Sequence, residues 1–320
     1  MGSPRTIIPT KLNSSSSSET SVFVGTTKNN IVEGSLTKKF NTVVWGHYGD
    51  LFVIAPHPDE MSFVTAGSDK TVAKWKKQKV IWKLSVQSEC RSAAYHPSGA
   101  VVVVGTGDGH ILALNNDNGN HITTIRVCGS PLAAVPFNKY GDTIAAAAHN
   151  GSIYFYKVSR DGYTYKKFGK MASGGKGHKQ CDWSRDGDYL QTVSMDYNLN
   201  FWNTKINKME KFPASLRDEE WLDQTCTVGF PVAGTWNNVN YKNDSDTTAV
   251  HMGSNRLLVV AGDSHGYVRL FRCPCVTARA EFHEEKPSSK TVHQVKFLMD
   301  DIYVVSASGK DATLVRWKIK

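Results

Sequence analysis

The 320-residue sequence lacks any apolar run near the roughly 18 residues that would span a bilayer; its longest is the short stretch at residues 101–104. No membrane partner is expected. The first twelve residues carry charges and prolines but no apolar core of a secretory signal. Cysteines are few, six in all, scattered at 90, 128, 181, 226, 273 and 275. A chain of this size needs no disulfide framework, so they read as free thiols of a reducing cytoplasm. A sustained 3.6-residue apolar period is also missing, which speaks against a leucine-rich or helical solenoid. Acidic residues are the minority charge, 29 against 38 Lys and Arg, leaving a formal net charge of +9. With 40% hydrophobic residues the chain has the means to bury a core, and wholesale disorder is excluded.

Catalytic signatures are wanting as well. Gly105, Gly107 and Gly109 form a glycine-rich segment, but it leads into a strand, so no helix N-terminus faces a phosphate. Gly169 and Gly174 have the P-loop spacing, yet Gly175 stands where that loop requires lysine. Cys273 and Cys275 have no second Cys or His pair at zinc-ligand spacing. Neither an enzyme, a metal, a cofactor nor a small-molecule substrate is expected.

What the chain does contain is a repeat. In residues 50–83 the candidate strands are 51–55, 62–67, 72–75 and 80–84, with turns at His57-Pro58-Asp59 and Ser68-Asp69. The first turn recurs at His96, Asn138, Ser184 and Met299. The second recurs at Asp108, Asn150, Asp196, Ser264 and Asp311. A large residue follows on the third strand, at Trp75, Leu114, Tyr156, Trp202, Phe271 and Trp317. Four short strands every ~40–46 residues mark a β-propeller blade. Five full repeats, a partial one at the start and a last one without its outer strand predict an all-β propeller of about seven four-stranded blades over residues 21–320. One interval, between Asp196 and Ser264, carries a long insertion. Residues 1–20, with a serine run at 14–18, read as a flexible tail. Within it, residues 4–11 either stay loose or supply the missing outer strand of the last blade.

The repeat resembles the WD-repeat family, carried by Gly46-His47 with Thr65, Asp69 and Trp75. In the fifth repeat the same roles fall to His178, Thr192, Asp196 and Trp202, and the Asp-to-Trp spacing returns at Asp311 and Trp317. The resemblance implies a buried structural hydrogen-bond relay within each such blade, where a carboxylate is tolerated only if well paired. A hydrolase triad is the competing reading of His, Ser/Thr and Asp. The repetition of the group, and the lack of a sharp strand-to-helix turn, favour the relay.

The insertion (Glu220, Trp221 and onward through Trp236), with Gly46-His47-Tyr48-Gly49, Tyr95-His96-Pro97 and Asp182-Trp183, narrows the likeness. Together they resemble the C-terminal propeller of the echinoderm microtubule-associated protein-like family, over about residues 21–320. That resemblance implies association with microtubules, and a tandem partner propeller with one blade assembled from separated segments. Lysines at 76, 77 and 79 and at 166, 167 and 170 are the candidate tubulin-facing basic rim. Tubulin's acidic tails, or another cytoskeletal or axonemal protein, are the expected partners, in the cytoplasm, on microtubules or in the ciliary axoneme. For any one lysine, the plainer role is a solvated edge. Nucleic acid is not expected, since no RNA-recognition or finger motif accompanies the charge. A generic WD-repeat interaction scaffold in an unrelated complex is the alternative.

Overall fold

A computed structural model describes residues 2–9, 21–35, 37–172, 174–236, 246–277 and 280–320. Among these residues seven antiparallel sheets follow one another, six of four strands and the last of three. This is the all-β propeller architecture that the repeat predicted. The only helices among the described residues are two 3-10 turns, Pro213–Leu216 and Phe230–Thr235, both in the insertion.

Sheets two to six each run from an inner strand to a solvent-facing outer one; the first sheet is exposed along both of its edge strands, Pro4–Pro9 and Asn41–Val44. In the second sheet, Leu51–Pro56, Ser62–Gly67, Thr71–Lys76 and Lys79–Ser85 are neighbours in that order. Ser62–Gly67 is buried along its whole length, whereas Lys79–Ser85 alternates exposed and half-buried residues. The difference follows from position: the second strand is packed on both faces by neighbouring sheets, and the outer strand on only one. Val101–Thr106 and Thr143–Ala148, the second strands of the third and fourth sheets, are likewise fully buried.

The core is a chain of clusters between consecutive sheets. Val64 and Val72 pack against Val102 and Leu114, between sheets two and three. Ile111 and Ala113 meet Leu132 and Ile144, between sheets three and four. Phe155 meets Trp183 and Trp202, between sheets four and five. Val260 and Val268 meet Val295 and Phe297, between sheets six and seven. The cycle closes from the seventh sheet back to the second, where Leu51, Ile54 and Phe63 pack on Leu298, Val305 and Ala307. There the Ile54 N–H donates to the Gln294 side-chain carbonyl. Between sheets five and six the insertion intervenes: Leu216 and Trp221 pack on Phe201, and Val232 on Val250, Val259 and Phe271.

Of the expectation for residues 4–11, the part that falls on residues 4–9 is corrected. Strand Pro4–Pro9 forms, but it pairs antiparallel with Val22–Thr26 and completes the first sheet; the seventh sheet keeps three strands. Its inner strand already packs on the second sheet, so the closure uses side-chain burial and no borrowed outer strand. The serine run at 14–18, and with it the expected looseness of that part of the tail, lies outside the described residues. The first sheet contributes to none of the shared clusters. It meets the second through Trp45, whose ring lies 5.7 Å from that of Trp75, and through the Asn29 amide donating to the His47 carbonyl at 2.7 Å. Ile7, Ile8, Val43 and Val44 on it are exposed.

Candidate functional site

The relay forms completely in the second sheet. Trp75 Nε1–H donates to Thr65 Oγ1 at 2.7 Å, Thr65 Oγ1 lies 2.8 Å from His47 Nε2, and His47 Nδ1 lies 2.8 Å from Asp69 Oδ2. Thr65 Oγ1 thus joins the indole to the imidazole, and the Asp69 carboxylate accepts at its end of the chain. The Tyr48 and Thr71 N–H groups also donate to Asp69, at 3.3 and 3.1 Å. Both His47 nitrogens, the Thr65 hydroxyl, the Trp75 N–H and the Asp69 carboxylate are all engaged within the relay.

In the fifth sheet the relay is broken, which corrects the assignment of His178 and Asp196. Trp202 Nε1–H does donate to Thr192 at 2.9 Å. The register, with Ile54 opposite Thr65 and Cys181 opposite Thr192, makes Gly174 the counterpart of His47. His178 stands four residues later, inside the inner strand where the second sheet has Leu51, and neither of its nitrogens bonds Thr192 or Asp196. Asp196, with no imidazole to meet it, is exposed; it accepts from Ser194 Oγ at 2.5 Å and lies 3.9 Å from Lys176. In the seventh sheet the corresponding position is Ser288, whose hydroxyl reaches Asp311 while Trp317 donates to Ser306 at 2.9 Å. The two halves are present without an imidazole to join them.

Sequence reading missed a second set of histidines. His57 and His96 begin the turns after the first strands of sheets two and three. Their Nδ1 atoms accept backbone N–H groups of their own turns. Their Nε2 atoms lie 3.1 Å from the Gly99 carbonyl and 3.2 Å from the Gly141 carbonyl, each on the next sheet. Burial holds both imidazoles below their ordinary pKa, in keeping with a neutral ring that accepts on one side and donates on the other. Gly99 and Gly141 have φ of +72° and +73°, and a Cβ on either would land about 2.5 Å from the latching ring. The repeated His-Pro turn was the available signal.

The insertion is fastened by Asp182, also unassigned from sequence. This buried carboxylate accepts from Thr225 N at 2.9 Å, Cys226 N at 2.8 Å, Thr225 Oγ1 at 2.5 Å and Gln191 Nε2 at 3.1 Å. Burial still leaves its pKa above the ordinary value, the Thr225 and Cys226 bonds working against the shift. Gln180 receives Thr227 in the same way at 2.9 Å. Beside this segment, Tyr197, Leu199, Val228, Phe230, Ala233 and Trp236 line an apolar cleft of about 440 Å³.

The six rim lysines do not form one patch. Lys76, Lys77 and Lys79 sit on the hairpin joining the third and fourth strands of sheet two, and Lys76 is 3.2 Å from Glu60. Lys74, beside them in sequence, is buried. Lys166, Lys167 and Lys170 are exposed on Tyr165–Ala172, the outer strand of sheet four. The third sheet separates the two groups. No ion pair engages Lys166, Lys167 or Lys170 among the described residues. Lys167 and Lys170 instead lie 4.8 and 5.4 Å from the centre of the Tyr154 ring.

A family profile described as "Echinoderm microtubule-associated protein second beta-propeller" matches residues 51–319. Its first matched residue is the first residue of the second sheet, so the first sheet falls outside it. The chain is 34% identical over 299 residues to the 77 kDa echinoderm microtubule-associated protein of Strongylocentrotus purpuratus, covering 93% of this chain and 43% of that protein. It is 32% identical over 300 residues to echinoderm microtubule-associated protein-like 2 of Rattus norvegicus, covering 93% and 46%. The chain thus spans less than half the length of these relatives.

Proposed function

The chain belongs to the echinoderm microtubule-associated protein family, and from that premise we propose that it is a non-catalytic propeller that binds microtubules through the acidic tails of tubulin. The observation that carries this reading is the outer strand of sheet four, which presents Lys166, Lys167 and Lys170 to solvent with no carboxylate of their own among the described residues. Exposed lysines of this kind raise the encounter rate with an acidic partner and add modest affinity each. The hairpin lysines of sheet two are a second, weaker attractor, since Lys76 is engaged by Glu60. Its place is the cytoplasmic cytoskeleton, including the ciliary axoneme. The first sheet, with Ile7, Ile8, Val43 and Val44 exposed, is the part of the chain that a tandem propeller would cover.

Cosedimentation with microtubules, before and after proteolytic removal of the tubulin tails, tests the reading. Reversing Lys166, Lys167 and Lys170 together to glutamate is expected to weaken binding severalfold, and single reversals to do little, at about 0.2–1 kcal/mol each. Raising salt to physiological strength, where the Debye length is about 8 Å, should weaken it too. Binding that ignores the tails, the salt and the reversals would refute the rim. The apolar cleft at Phe230 and Trp236 favours the second reading in that event, a scaffold that docks protein segments on its insertion.

A further inference from the structure

We propose that strand Tyr165–Ala172 takes up an acidic, extended peptide as a fifth strand of the fourth sheet. This names how the rim proposed above would hold its partner, and so rests on that reading. The strand is the outer edge of its sheet and, at eight residues, is the longest among the described residues. Its outer side is a row of backbone donors and acceptors open to an added strand.

Side chains decide which strand fits. Lys167 and Lys170 are three residues apart, and in a regular strand that odd spacing would send them to opposite faces. The ladder has a bulge here: Phe155 faces Gly169 and Tyr156 faces Lys167, leaving Phe168 as the extra residue. The bulge therefore puts Lys167 and Lys170 on one face, opposite Tyr156 and Tyr154. Both ammonium groups lie over the Tyr154 ring, which orders them before any partner arrives. On the other face, Lys157 covers the exposed Phe168 ring at 5.4 Å. A second copy of the same edge would bring lysine against lysine, so the edge repels itself. An incoming strand with carboxylates two residues apart would meet Lys167 and Lys170 together.

The test uses the whole chain and fluorescence anisotropy of an end-capped peptide of alternating glutamate and threonine, beside the same peptide N-methylated along its backbone. Methylation keeps every charge and removes every backbone donor. Strand addition predicts that the parent peptide binds, that methylation weakens it by roughly tenfold or more, and that the double variant Lys167→Glu/Lys170→Glu loses it. If the two peptides bind equally, strand addition is wrong and a purely electrostatic rim stands. If neither binds, strand addition is also wrong, and cosedimentation with intact microtubules decides the rim by itself. The variant's circular dichroism, unchanged from the parent's, shows that any loss lies at the edge and not in the fold.

Discussion

Removing the carboxylate of Asp69 should cost the fold far more than removing that of Asp196, although the two hold the same place in their repeats. The Asp69 carboxylate has no solvent access and accepts from His47, Tyr48 and Thr71. In Asp69→Ala, the His47 and Thr71 donors remain buried without acceptors. At about 1–3 kcal/mol for each of the two orphaned groups, the loss is about 2–6 kcal/mol. With an unfolding entropy of about 2.1 cal/mol/K per residue, a chain of 320 residues should melt roughly 3–9 °C lower. Thr65→Val, nearly isosteric, deprives Trp75 of its acceptor and His47 Nε2 of its partner and should fall in the same range. Asp196→Ala removes an exposed carboxylate whose contacts are the Ser194 hydroxyl and other solvent-facing groups such as Lys176, and the melting temperature should stay where it is. Calorimetry of the three variants decides. Equal shifts for Asp69→Ala and Asp196→Ala would refute the register argument that separates them, and no shift in Asp69→Ala would refute the relay.

Other outcomes follow from the same contacts. Asp182→Ala leaves the Thr225 and Cys226 N–H groups unpaired, so amide exchange at 225–227 should accelerate ahead of the sheets; unchanged protection there would show the insertion is held otherwise. Gly141→Ala meets both a positive φ and the His96 ring and should destabilise by about 1 kcal/mol or more. A melting temperature equal to the parent's would argue against the latch. Burial holds His57, His96, His178, His251 and His293 below the ordinary 6.5. As pH falls through 6.5 the unfolded chain takes up protons that the folded chain refuses, so stability present above 6.5 is lost toward the lower folded values. Each ring contributes at most about 1.4 kcal/mol per pH unit. Melting should therefore drop between pH 7 and 5, and a flat profile would contradict neutral buried rings.

Much of the propeller was legible from residue order alone, because its signals are local. Turn residues such as Asp69 and Asn150, the large residue near the end of each third strand, and the apolar run at Val101 recur with the blade, and strand pairing within a blade joins near neighbours. The Trp75–Thr65 and Trp202–Thr192 bonds share a ten-residue spacing and were foreseen. What joins distant segments was not. Ile54 meets Gln294 across 240 residues, and no local pattern announces that the seventh sheet closes on the second or that Pro4–Pro9 pairs with Val22–Thr26. His178 carried the same Gly-His dipeptide as His47, but a four-residue offset placed it inside a strand, and only the ladder register shows that Gly174 occupies the relay position. The single extra residue at Phe168 likewise turned a row of lysines into a pair on one face. Composition and spacing determine which strands and turns exist; side-chain direction depends on register, and register is settled when the sheets pack.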